Sequence, residues 1–375
     1  MEMVKLMKIL VLANKDTGLY SFRFELLRKM KELNYEVYIS CPNGERIKEF
    51  EKIGCKFIET DISRRGINPF VDLKLCLKYF KIIKKIRPDV ILTYTIKPNI
   101  YGGVVASLCD VPYLTNITGL GTVFERTSFI NKLVRFMYKF ALRKSRCVFF
   151  QNKSNMNTLK EGNIISSKSV LLPGSGVNLE KFSVIDYPDD ETTEFVFVAR
   201  IMKEKGIEEY FDAVRYIKNK YPKTRFHICG GCEEAYSEKL KEMQDNDLIV
   251  YHGQVLDVRE VLAKVHCLVN PSYHEGMSNV LQEAAACARP GLCSDIPGCK
   301  EIVDDGKSGF LFEAKSSQSL IEALEKFMNL TYDERKIMGT NARRKVEKKF
   351  DRNIVIDAYL KEIEDLKIKQ KRDEI

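Results

Sequence analysis

Short apolar runs alternate along the chain with longer segments in which apolar residues recur every three or four positions. The first run, residues 9–13, is followed by a polar turn at 14–18 and by an amphipathic segment at 21–33, for which Ser21 is a suitable N-cap. Such alternation is typical of βαβ units built on parallel sheets. Six further strands are predicted before residue 180, near 37–41, 56–59, 90–93, 113–117, 148–151 and 170–172.

A glycine-rich stretch at 174–178 divides this pattern in two. Together with the charged, proline-bearing run at 186–194, it predicts an inter-domain linker. A second set of strands follows, near 195–199, 226–229, 249–252, 268–270, 291–293 and 310–312. Three helices close the chain, the last from about residue 353 to 367. We therefore expect two α/β domains, with the first ending at residue 178.

Charge is distributed unevenly over the 375 residues. Residues 1–180 contain 30 Lys and Arg and 16 Asp and Glu, a net charge of +14, whereas the remainder has a net charge of −5. A positive first half predicts an anionic partner, which is a nucleic acid, an acidic membrane face or a diphosphate-bearing substrate.

Two predicted helices in the first half carry much of this positive charge. They span residues 73–87 and 129–146, and each mixes Lys and Arg with Leu, Ile, Phe and Tyr. Such helices can lie on an anionic membrane surface. The alternative is that each packs on the core and has a merely solvated outer face. Two such helices in one positively charged domain favour membrane contact.

The sequence gives little sign of secretion, membrane insertion or metal binding. No apolar run approaches the roughly 20 residues that span a bilayer, and no signal-peptide pattern is present, so we expect a cytosolic protein. The odd count of 11 cysteines indicates reduced thiols. Cys229 and Cys232 form a C-x-x-C without a second pair, and the Asp-Asn-Asp at 245–247 is more typical of a turn than of a metal site.

The stretch from Glu275 to Glu283 carries the main candidate chemistry. Gly276 and Ser278 fall where an apolar helix is predicted to begin, and a helix N-terminus favours an anion. With Glu283 two turns inside the helix, the two glutamates are expected about 12 Å apart. This spacing suits a nucleotide-sugar, with a central phosphate and hydroxyls at both ends, better than the acid and base of a glycosidase. Alternatively, both glutamates are solvated.

Two cations have a similar setting at the start of the second half. Arg200 follows the predicted strand at 195–199, and Lys205 precedes Gly206 at a predicted helix start. Positive charges beside a helix N-terminus are arranged to hold an anion, although both residues are also compatible with a solvated surface. The glycine turns at 230–231 and 253–255 place backbone amides at strand ends, where they are suited to a uracil-like base.

These motifs together resemble retaining glycosyltransferase family 4. The resemblance rests on the two glutamates with seven residues between them, on the Asp-Ile-Pro-Gly-Cys-Lys-Glu run at 295–301, and on Asp-Gly-x-x-Gly at 305–309. It covers the chain from Met7 to about Leu366. It implies the GT-B fold: α/β, with two Rossmann-like parallel-sheet domains facing a cleft. The domains would be 1–178 plus a returning C-terminal helix at 353–375, and 179–352.

The segments at 93–99 and 116–121 resemble a subgroup that extends polyprenyl-diphosphate-linked sugars in bacterial capsule, lipopolysaccharide or N-glycan assembly. Both lie just beyond strand ends, where ligands bind in open α/β sheets. Many family members have a histidine where Thr118 stands.

The resemblance also implies roles for individual residues. Glu283 would bind the ribose hydroxyls of a UDP-sugar and Glu275 a hydroxyl of the donor sugar, while Arg200 and Lys205 would hold the diphosphate. Glu275, Arg200 and Lys205 are the candidate catalytic residues. The donor site would be completed by residues of four further segments: Gly18, Gly230, Val255, Gly276, Met277, Ser278 and Asn279.

The expected reaction moves a hexose or N-acetylhexosamine from a UDP-sugar to a polyprenyl-diphosphate-linked saccharide with retention of configuration, by a front-face route. No cofactor or metal is expected, and neither is nucleic-acid binding. We expect a peripheral enzyme on the cytoplasmic face of the inner membrane. Three alternatives remain: a UDP-N-acetylglucosamine 2-epimerase, a transferase with a small soluble acceptor, and a nucleic-acid-binding protein.

Overall fold

The computed structural model describes residues 6–62, 68–120, 129–255 and 257–373. The chain forms two compact units. Unit 1 consists of residues 1–175 and 353–375, and unit 2 of residues 176–352.

The described residues form thirteen β-strands, all at positions where apolar runs predicted them, with ends that differ by at most two residues. The strands are β1 Lys8–Leu12, β2 Glu36–Cys41, β3 Lys56–Glu59, β4 Val90–Tyr94, β5 Tyr113–Ile117, β6 Cys147–Phe150, β7 Lys168–Leu171, β8 Thr193–Val198, β9 Thr224–Cys229, β10 Val250–Tyr251, β11 Cys267–Asn270, β12 Gly291–Ser294 and β13 Gly309–Phe312.

Helices connect the strands, and a π-helical turn, Pro98–Gly102, precedes the fourth helix. The α-helices are α1 Asp16–Glu32, α2 Ile47–Lys52, α3 Pro69–Ile86, α4 Gly103–Leu108, α5 Phe129–Leu142, α6 Lys153–Glu161, α7 Ile207–Lys220, α8 Ser237–Asp245, α9 Arg259–Leu262, α10 Asn279–Ala286, α11 Ser317–Met328, α12 Tyr332–Lys349 and α13 Arg352–Asp373.

Each unit contains one parallel sheet. The strand order is β3-β2-β1-β4-β5-β6-β7 in unit 1 and β10-β9-β8-β11-β12-β13 in unit 2. The order reverses between β1 and β4 in the first sheet and between β8 and β11 in the second. In such sheets, ligands bind beyond the carboxyl ends of the strands at the point of reversal. The predicted α/β fold with two Rossmann-like domains is confirmed.

The C-terminal helix α13 belongs to the core of unit 1, as the resemblance implied. Val355, Tyr359 and Ile363 pack among residues of β1, β4 and β6. The Tyr359 ring lies 4.2 Å from the ring of Phe149 between centroids, and its hydroxyl accepts a hydrogen bond of 2.8 Å from Nδ2 of Asn116. The last helix therefore completes the interior of the first unit.

Helix α1 begins earlier than the sequence pattern indicated. It starts at Asp16, so Ser21 lies inside the helix and is not the N-cap, and Gly18 is in the first helical turn. The buried carboxylate of Asp16 accepts a 2.9 Å hydrogen bond from the backbone N–H of Arg46, thirty positions away. This long-range contact fixes the start of the helix and has no local sequence signal.

The two basic helices and the predicted linker also differ from what the sequence pattern indicated. Helix α3 starts at Pro69, with Asn68 accepting hydrogen bonds from the N–H groups of residues 70 and 71, and α5 ends at Leu142. The run at 186–194 is not a free linker but a packed part of unit 2. The fully buried guanidinium of Arg289 donates to the carbonyls of residues 185 and 186.

The packing of α13 predicts a large effect of truncating its central aromatic residue. Tyr359→Ala removes a buried ring and leaves Nδ2 of Asn116 without its partner, so we expect a loss of about 3–5 kcal/mol in the free energy of unfolding. Urea denaturation followed by circular dichroism measures this. Lys361→Ala, at an exposed position of the same helix, should change the free energy by less than about 0.5 kcal/mol.

Candidate functional site

The predicted donor residues of unit 2 follow four strands at the carboxyl edge of the second sheet. They lie in segments after β8, β9, β10 and β11. Backbone hydrogen bonds join the segments after β8 and β11, and they also join the segment after β11 to the one after β12. The Tyr273 N–H donates to the carbonyl of Glu204 at 3.0 Å, and the Ser278 N–H donates to the carbonyl of Gly298 at 2.8 Å. The site therefore lies at the reversal of strand order, where α/β sheets bind ligands.

Lys205 and Glu275 form an ion pair at the centre of this edge. The Lys205 Nζ lies 2.6 Å from Oε1 of Glu275, and the hydroxyl of Ser272 donates to the same oxygen at 2.8 Å. The two charged side chains are 21% and 17% exposed, so they are partly shielded from water and still reachable by a ligand. Lys205 is in a short 3₁₀ turn, Lys203–Lys205, that follows β8.

Gly206 allows the segment that carries Lys205 to approach the one that carries Glu275. Its φ is +72°, and a Cβ at this position would lie 2.0 Å from the carbonyl oxygen of Pro271. Any other residue would therefore separate the two loops. The glycine also caps α7, whose first turn follows directly.

The start of α10 is built from the motif residues 276–279. Ser278 is the N-cap, and its hydroxyl accepts from the N–H of Leu281 at 3.5 Å and from Nδ2 of Asn270 at 2.7 Å. Met277 is buried, whereas Gly276 and Asn279 are partly exposed. The side-chain oxygen of Asn279 is buried and has no hydrogen-bond partner among the described residues.

Arg200 follows β8, and the predicted base-contacting residues Gly230 and Val255 follow β9 and β10. All three lie on the β8 side of the strand reversal. Arg200 is exposed and forms no side-chain hydrogen bond or ion pair with the residues that the structure describes. Gly230 packs directly on the backbone of residues 199 and 200. Val255 packs against the core cluster that also contains α10 residues. The guanidinium of Arg200 is thus available to an anionic ligand.

Glu283 has a different environment from Glu275. It is the fifth residue of the eight-residue helix α10, and so it lies in the second turn, not two full turns inside as the sequence suggested. Burial raises the pKa of Glu283 to about 7, against the opposing effects of the positive charges on Arg352 and Lys181. Asp257 adds to the increase. Near neutral pH this carboxyl group exists in both ionised and protonated forms.

Residues of unit 1 predicted for binding lie at the carboxyl end of its own sheet. Gly18 is in the first turn of α1, and no atom lies within 4 Å of a Cβ built at this position. Thr118 directly follows β5 and is partly exposed. Gly121, at the end of the predicted segment 116–121, lies outside the described residues.

Two contributors to the candidate site were not among the predicted site residues, although one of them, Gly298, belongs to the motif at 295–301. Ser272 holds the Glu275 carboxylate, and Gly298 packs on the carbonyls of residues 275 and 276, where a Cβ would lie 2.8 Å from each oxygen. The Pro-Gly dipeptide at 297–298 is the available signal for the second, because it predicts a tight turn. Ser272 carries no distinctive signal.

The structure also shows where the Asp-Asn-Asp segment and the cysteines lie. The Asp-Asn-Asp segment begins with Asp245, the last residue of α8, and its other two residues form a turn before β10, in agreement with the prediction of a turn. All eleven cysteines are free thiols, and eight of them are buried. Within the ranges 6–62, 68–120, 129–255 and 257–373, no cluster of three His, Cys, Asp or Glu side chains is arranged to hold a metal ion.

Comparisons with known proteins identify the family. Residues 180–345 match the model for group 1 glycosyl transferases, and residues 8–152 match that for glycosyl transferase 4-like proteins. The chain is 30% identical over 351 residues to the Escherichia coli UDP-Gal:alpha-D-GlcNAc-diphosphoundecaprenol alpha-1,3-galactosyltransferase, covering 88% of each chain. The chain belongs to glycosyltransferase family 4. This glycosyltransferase is also 27% identical to the N,N'-diacetylbacillosaminyl-diphospho-undecaprenol alpha-1,3-N-acetylgalactosaminyltransferase of Campylobacter jejuni, over 95% of its own length and 98% of that relative.

Solved structures share the fold of the glycosyltransferase. Sucrose-phosphate synthase from Thermosynechococcus elongatus superimposes with a TM-score of 0.78 at 18% identity, covering 96% of this chain and 99% of that one. A glycosyltransferase from Rickettsia africae gives a TM-score of 0.76 at 18% identity over 96% and 99% of the two chains. These similarities confirm the GT-B assignment.

The environment of Glu283 predicts a pH-dependent cost in stability. The pKa in the folded protein is raised to about 7 from an ordinary value of 4.5, so the folded state is not penalised below pH 4.5 and loses stability as pH rises through 7. We expect Glu283→Gln to remove this loss, which amounts to on the order of 1–3 kcal/mol at pH 8.

Urea denaturation of the wild type and Glu283→Gln at pH 5, 6, 7 and 8 measures the effect. Glu313→Gln, at an exposed position of the same unit, is the matched control. A difference between the wild type and Glu283→Gln that stays constant from pH 5 to 8 would contradict the expectation.

Proposed function

We propose that this glycosyltransferase moves a sugar from a UDP-sugar to a saccharide on polyprenyl diphosphate, with retention of the anomeric configuration, during synthesis of a bacterial surface glycan. The sugar would be a hexose or an N-acetylhexosamine. The observation that carries the proposal is the Lys205–Glu275 pair, held by Ser272 at the carboxyl edge of the second sheet beside the start of α10. This pair combines a cation suited to a phosphate with a carboxylate suited to accept hydrogen bonds from sugar hydroxyl groups.

The names of two relatives support the acceptor. The enzymes from Campylobacter jejuni and Escherichia coli are both named for sugars linked to diphosphoundecaprenol, and each is matched over most of its length. The name of the second also supports a UDP-sugar donor. A structural neighbour with 16% identity, Anabaena HepE, was solved in complex with UDP and glucose.

The charges of unit 2 suit the leaving diphosphate. Lys205 and Glu275 neutralise each other, so a diphosphate that binds Lys205 would release Oε1 of Glu275 for a sugar hydroxyl, while Ser272 keeps the carboxylate in place. Arg200 offers a second positive charge without a competing partner among the described residues. In this proposal the two cations and the N-terminus of α10 stabilise the negative charge that develops, and no metal ion or cofactor takes part.

A front-face route is consistent with these side chains. The departing phosphate would accept the proton of the acceptor hydroxyl. The phosphate and the acceptor hydroxyl would lie on the same face of the donor sugar. Positioning and charge stabilisation would then supply most of the rate enhancement.

An apolar and basic face of unit 1 supports peripheral contact with an anionic membrane. We call this the docking face. It consists of exposed side chains of α3 and α5, which both pack against α4. The apolar members are Phe70, Leu73, Leu77, Phe80, Leu133, Phe136 and Phe140, and the exposed cations among them include Lys74, Lys81, Lys84, Lys132, Arg135 and Lys139.

The largest of these apolar side chains are strongly exposed, with Phe70 at 86% and Phe136 at 68%. Aromatic and aliphatic side chains framed by cations match the acyl boundary and headgroups of an anionic bilayer. None of the helices within the described ranges combines the length and hydropathy needed to traverse a bilayer. We therefore propose that the enzyme works from the cytoplasmic surface of the inner membrane.

The proposed reaction is tested by incubating the purified enzyme with a panel of UDP-sugars and polyprenyl-diphosphate saccharides and measuring product mass. We expect Glu275→Ala to reduce turnover by at least about a hundredfold, because it removes a contact to the donor sugar and leaves Lys205 without its partner. Arg200→Ala should raise the donor KM and lower kcat.

Lys223→Ala is the matched control, since this exposed lysine precedes β9 at the opposite edge of the same sheet. Parental rates for both Glu275→Ala and Arg200→Ala would overturn the site assignment. Absence of any product with every donor and acceptor pair would overturn the proposed reaction.

The docking face predicts binding to anionic vesicles. Leu73→Gln combined with Leu77→Gln removes two exposed apolar side chains and retains helix-forming residues, so we expect at least tenfold weaker binding, corresponding to about 1.4 kcal/mol or more. Sedimentation with vesicles of phosphatidylcholine and phosphatidylglycerol measures this. Ile337→Gln changes an equally exposed apolar residue of unit 2 and should have no effect.

Equal sedimentation of the double variant and the wild type would assign α3 a solvated outer face instead. Binding that persists in vesicles of phosphatidylcholine alone would contradict the role of the cations.

A further inference from the structure

Lys97 lies at the point of strand reversal in the first sheet. It belongs to the segment that follows β4, and β4 pairs with β1 where the strand order reverses. Ligands bind beyond the carboxyl ends of the strands at this position in open α/β sheets. None of the proposed donor residues belongs to this segment, so its side chains have no part in the chemistry described so far.

The ammonium group of Lys97 is held by a carboxylate of α3. Its Nζ lies 2.7 Å from Oδ1 of Asp72, and the two side chains are only 14% and 6% exposed. Oδ2 of Asp72 accepts a 3.3 Å hydrogen bond from the N–H of Asn68, the N-cap of α3. An ammonium group has three N–H donors. Asp72 takes one of them and is the only partner of Lys97 Nζ among the described residues, so two donors remain for a ligand.

The backbone on both sides of Lys97 is irregular. Thr95 has a φ of +73°, in the left-handed region that is rare for a β-branched residue. The π-helical turn Pro98–Gly102 follows, and such turns are frequent at functional sites. The N–H of Asn99 donates to the carbonyl of Thr95 at 2.9 Å, so both irregularities share one turn of chain. Strain of this kind clusters at sites that bind ligands.

Two polar atoms of the same turn lack a hydrogen-bond partner among the residues that the structure describes. They are Oγ1 of Thr95 and Oδ1 of Asn99, and both are buried. The amide orientation of Asn99 is fixed, because its Nδ2 donates to the carbonyl of Asn116 at 2.9 Å and a carbonyl can only accept. Unpaired buried oxygens cost stability. The turn that presents Lys97 is therefore kept in this conformation at a cost.

Asp72 also connects Lys97 to the docking face. Helix α3 follows β3, which is parallel to its neighbours, so the first turn of α3 lies at the same edge of the sheet as Lys97. Phe70 and Leu73 are 86% and 59% exposed, whereas Asp72 is buried. Residues 70–73 span only about 4.5 Å of helix axis. With the docking face on a bilayer, Lys97 would lie close to the level of the lipid headgroups.

We propose that Lys97 binds the diphosphate of the polyprenyl-diphosphate-linked acceptor, and that Asp72 is a positioning residue that holds the Lys97 ammonium group near the membrane surface. The proposal rests on the proposed function, which supplies the lipid-linked acceptor. A diphosphate offers several anionic oxygens, and lysine binds phosphate as a compact point charge. Each unit would then use one lysine, with Lys205 for the donor diphosphate and Lys97 for that of the acceptor.

A purely structural ion pair is the competing explanation, and a double substitution separates the two. Lys97→Gln alone leaves the buried Asp72 carboxylate without its partner, so we expect a lower melting temperature. Adding Asp72→Asn removes that charge and lets two amide groups form a hydrogen bond. The double variant should therefore regain most of the lost melting temperature, and a structural pair would regain its function as well.

Steady-state kinetics of the full-length protein measure the effect on the acceptor. The double variant should raise the acceptor KM at least about tenfold, because it removes a charge-assisted hydrogen bond, and it should leave the donor KM unchanged. Lys97→Arg retains the charge and should give an acceptor KM closer to that of the wild type. Lys29→Gln, which removes an exposed positive charge from the last turn of α1, is the control and should change neither KM.

Vesicle sedimentation distinguishes the acceptor diphosphate from phospholipid headgroups. The wild type is tested on phosphatidylcholine vesicles that contain undecaprenyl diphosphate, and on vesicles with phosphatidylglycerol at equal charge density. We expect tighter binding to the diphosphate vesicles, and the double variant should lose this difference while it still binds phosphatidylglycerol. Equal weakening on both kinds of vesicle would assign Lys97 to phospholipid headgroups and overturn the proposal.

Failure of this inference and failure of the proposed function give different results. A parental acceptor KM in the double variant would make the ion pair structural, while sugar transfer by the wild type would leave the proposed function in place. Conversely, the wild type could bind diphosphate vesicles through Lys97 and transfer no sugar from any UDP-sugar. That result would support the inference and overturn the proposed reaction.

Discussion

The contact between Lys205 and Glu275 is the interaction on which the candidate donor site depends. The two residues are seventy positions apart, and they meet because β8 and β11 are neighbours at the point where the strand order reverses. The missing side chain of Gly206 lets the two loops touch. Strand order, a glycine and one ion pair thus bring a positive and a negative side chain together at the edge of the sheet.

The two glutamates of the motif differ although they have the same side chain. The carboxylate of Glu275 directly contacts the ammonium group of Lys205 and the hydroxyl of Ser272, and it remains partly exposed to water. Burial raises the pKa of Glu283, and the positive charge of Arg352, whose guanidinium is held by the carbonyl of Gly176, opposes this increase. The two carboxylates of the motif therefore differ in their surroundings, because Glu275 forms a direct ion pair whereas burial raises the pKa of Glu283.

Much of the fold could be predicted because its signals are local. Each strand is a short apolar run, and thirteen such runs were sufficient to give both sheets. The start of α1 could not be predicted, because it is fixed by a contact between Asp16 and the backbone of Arg46. The same holds for the site. The residues of the family motif are recognisable along the chain, whereas Ser272 acts through a neighbour that only the folded chain supplies.

The place of α13 has a consequence for synthesis on the ribosome. Tyr359, Ile363 and Leu366 fill the interior of unit 1, whose other residues are made first. Unit 2 is continuous from 176 to 352, so all of its residues emerge before that interior can close. The amino-terminal unit must therefore wait, with apolar surface uncovered, until α13 has been synthesised, so the second unit can complete its fold before the first.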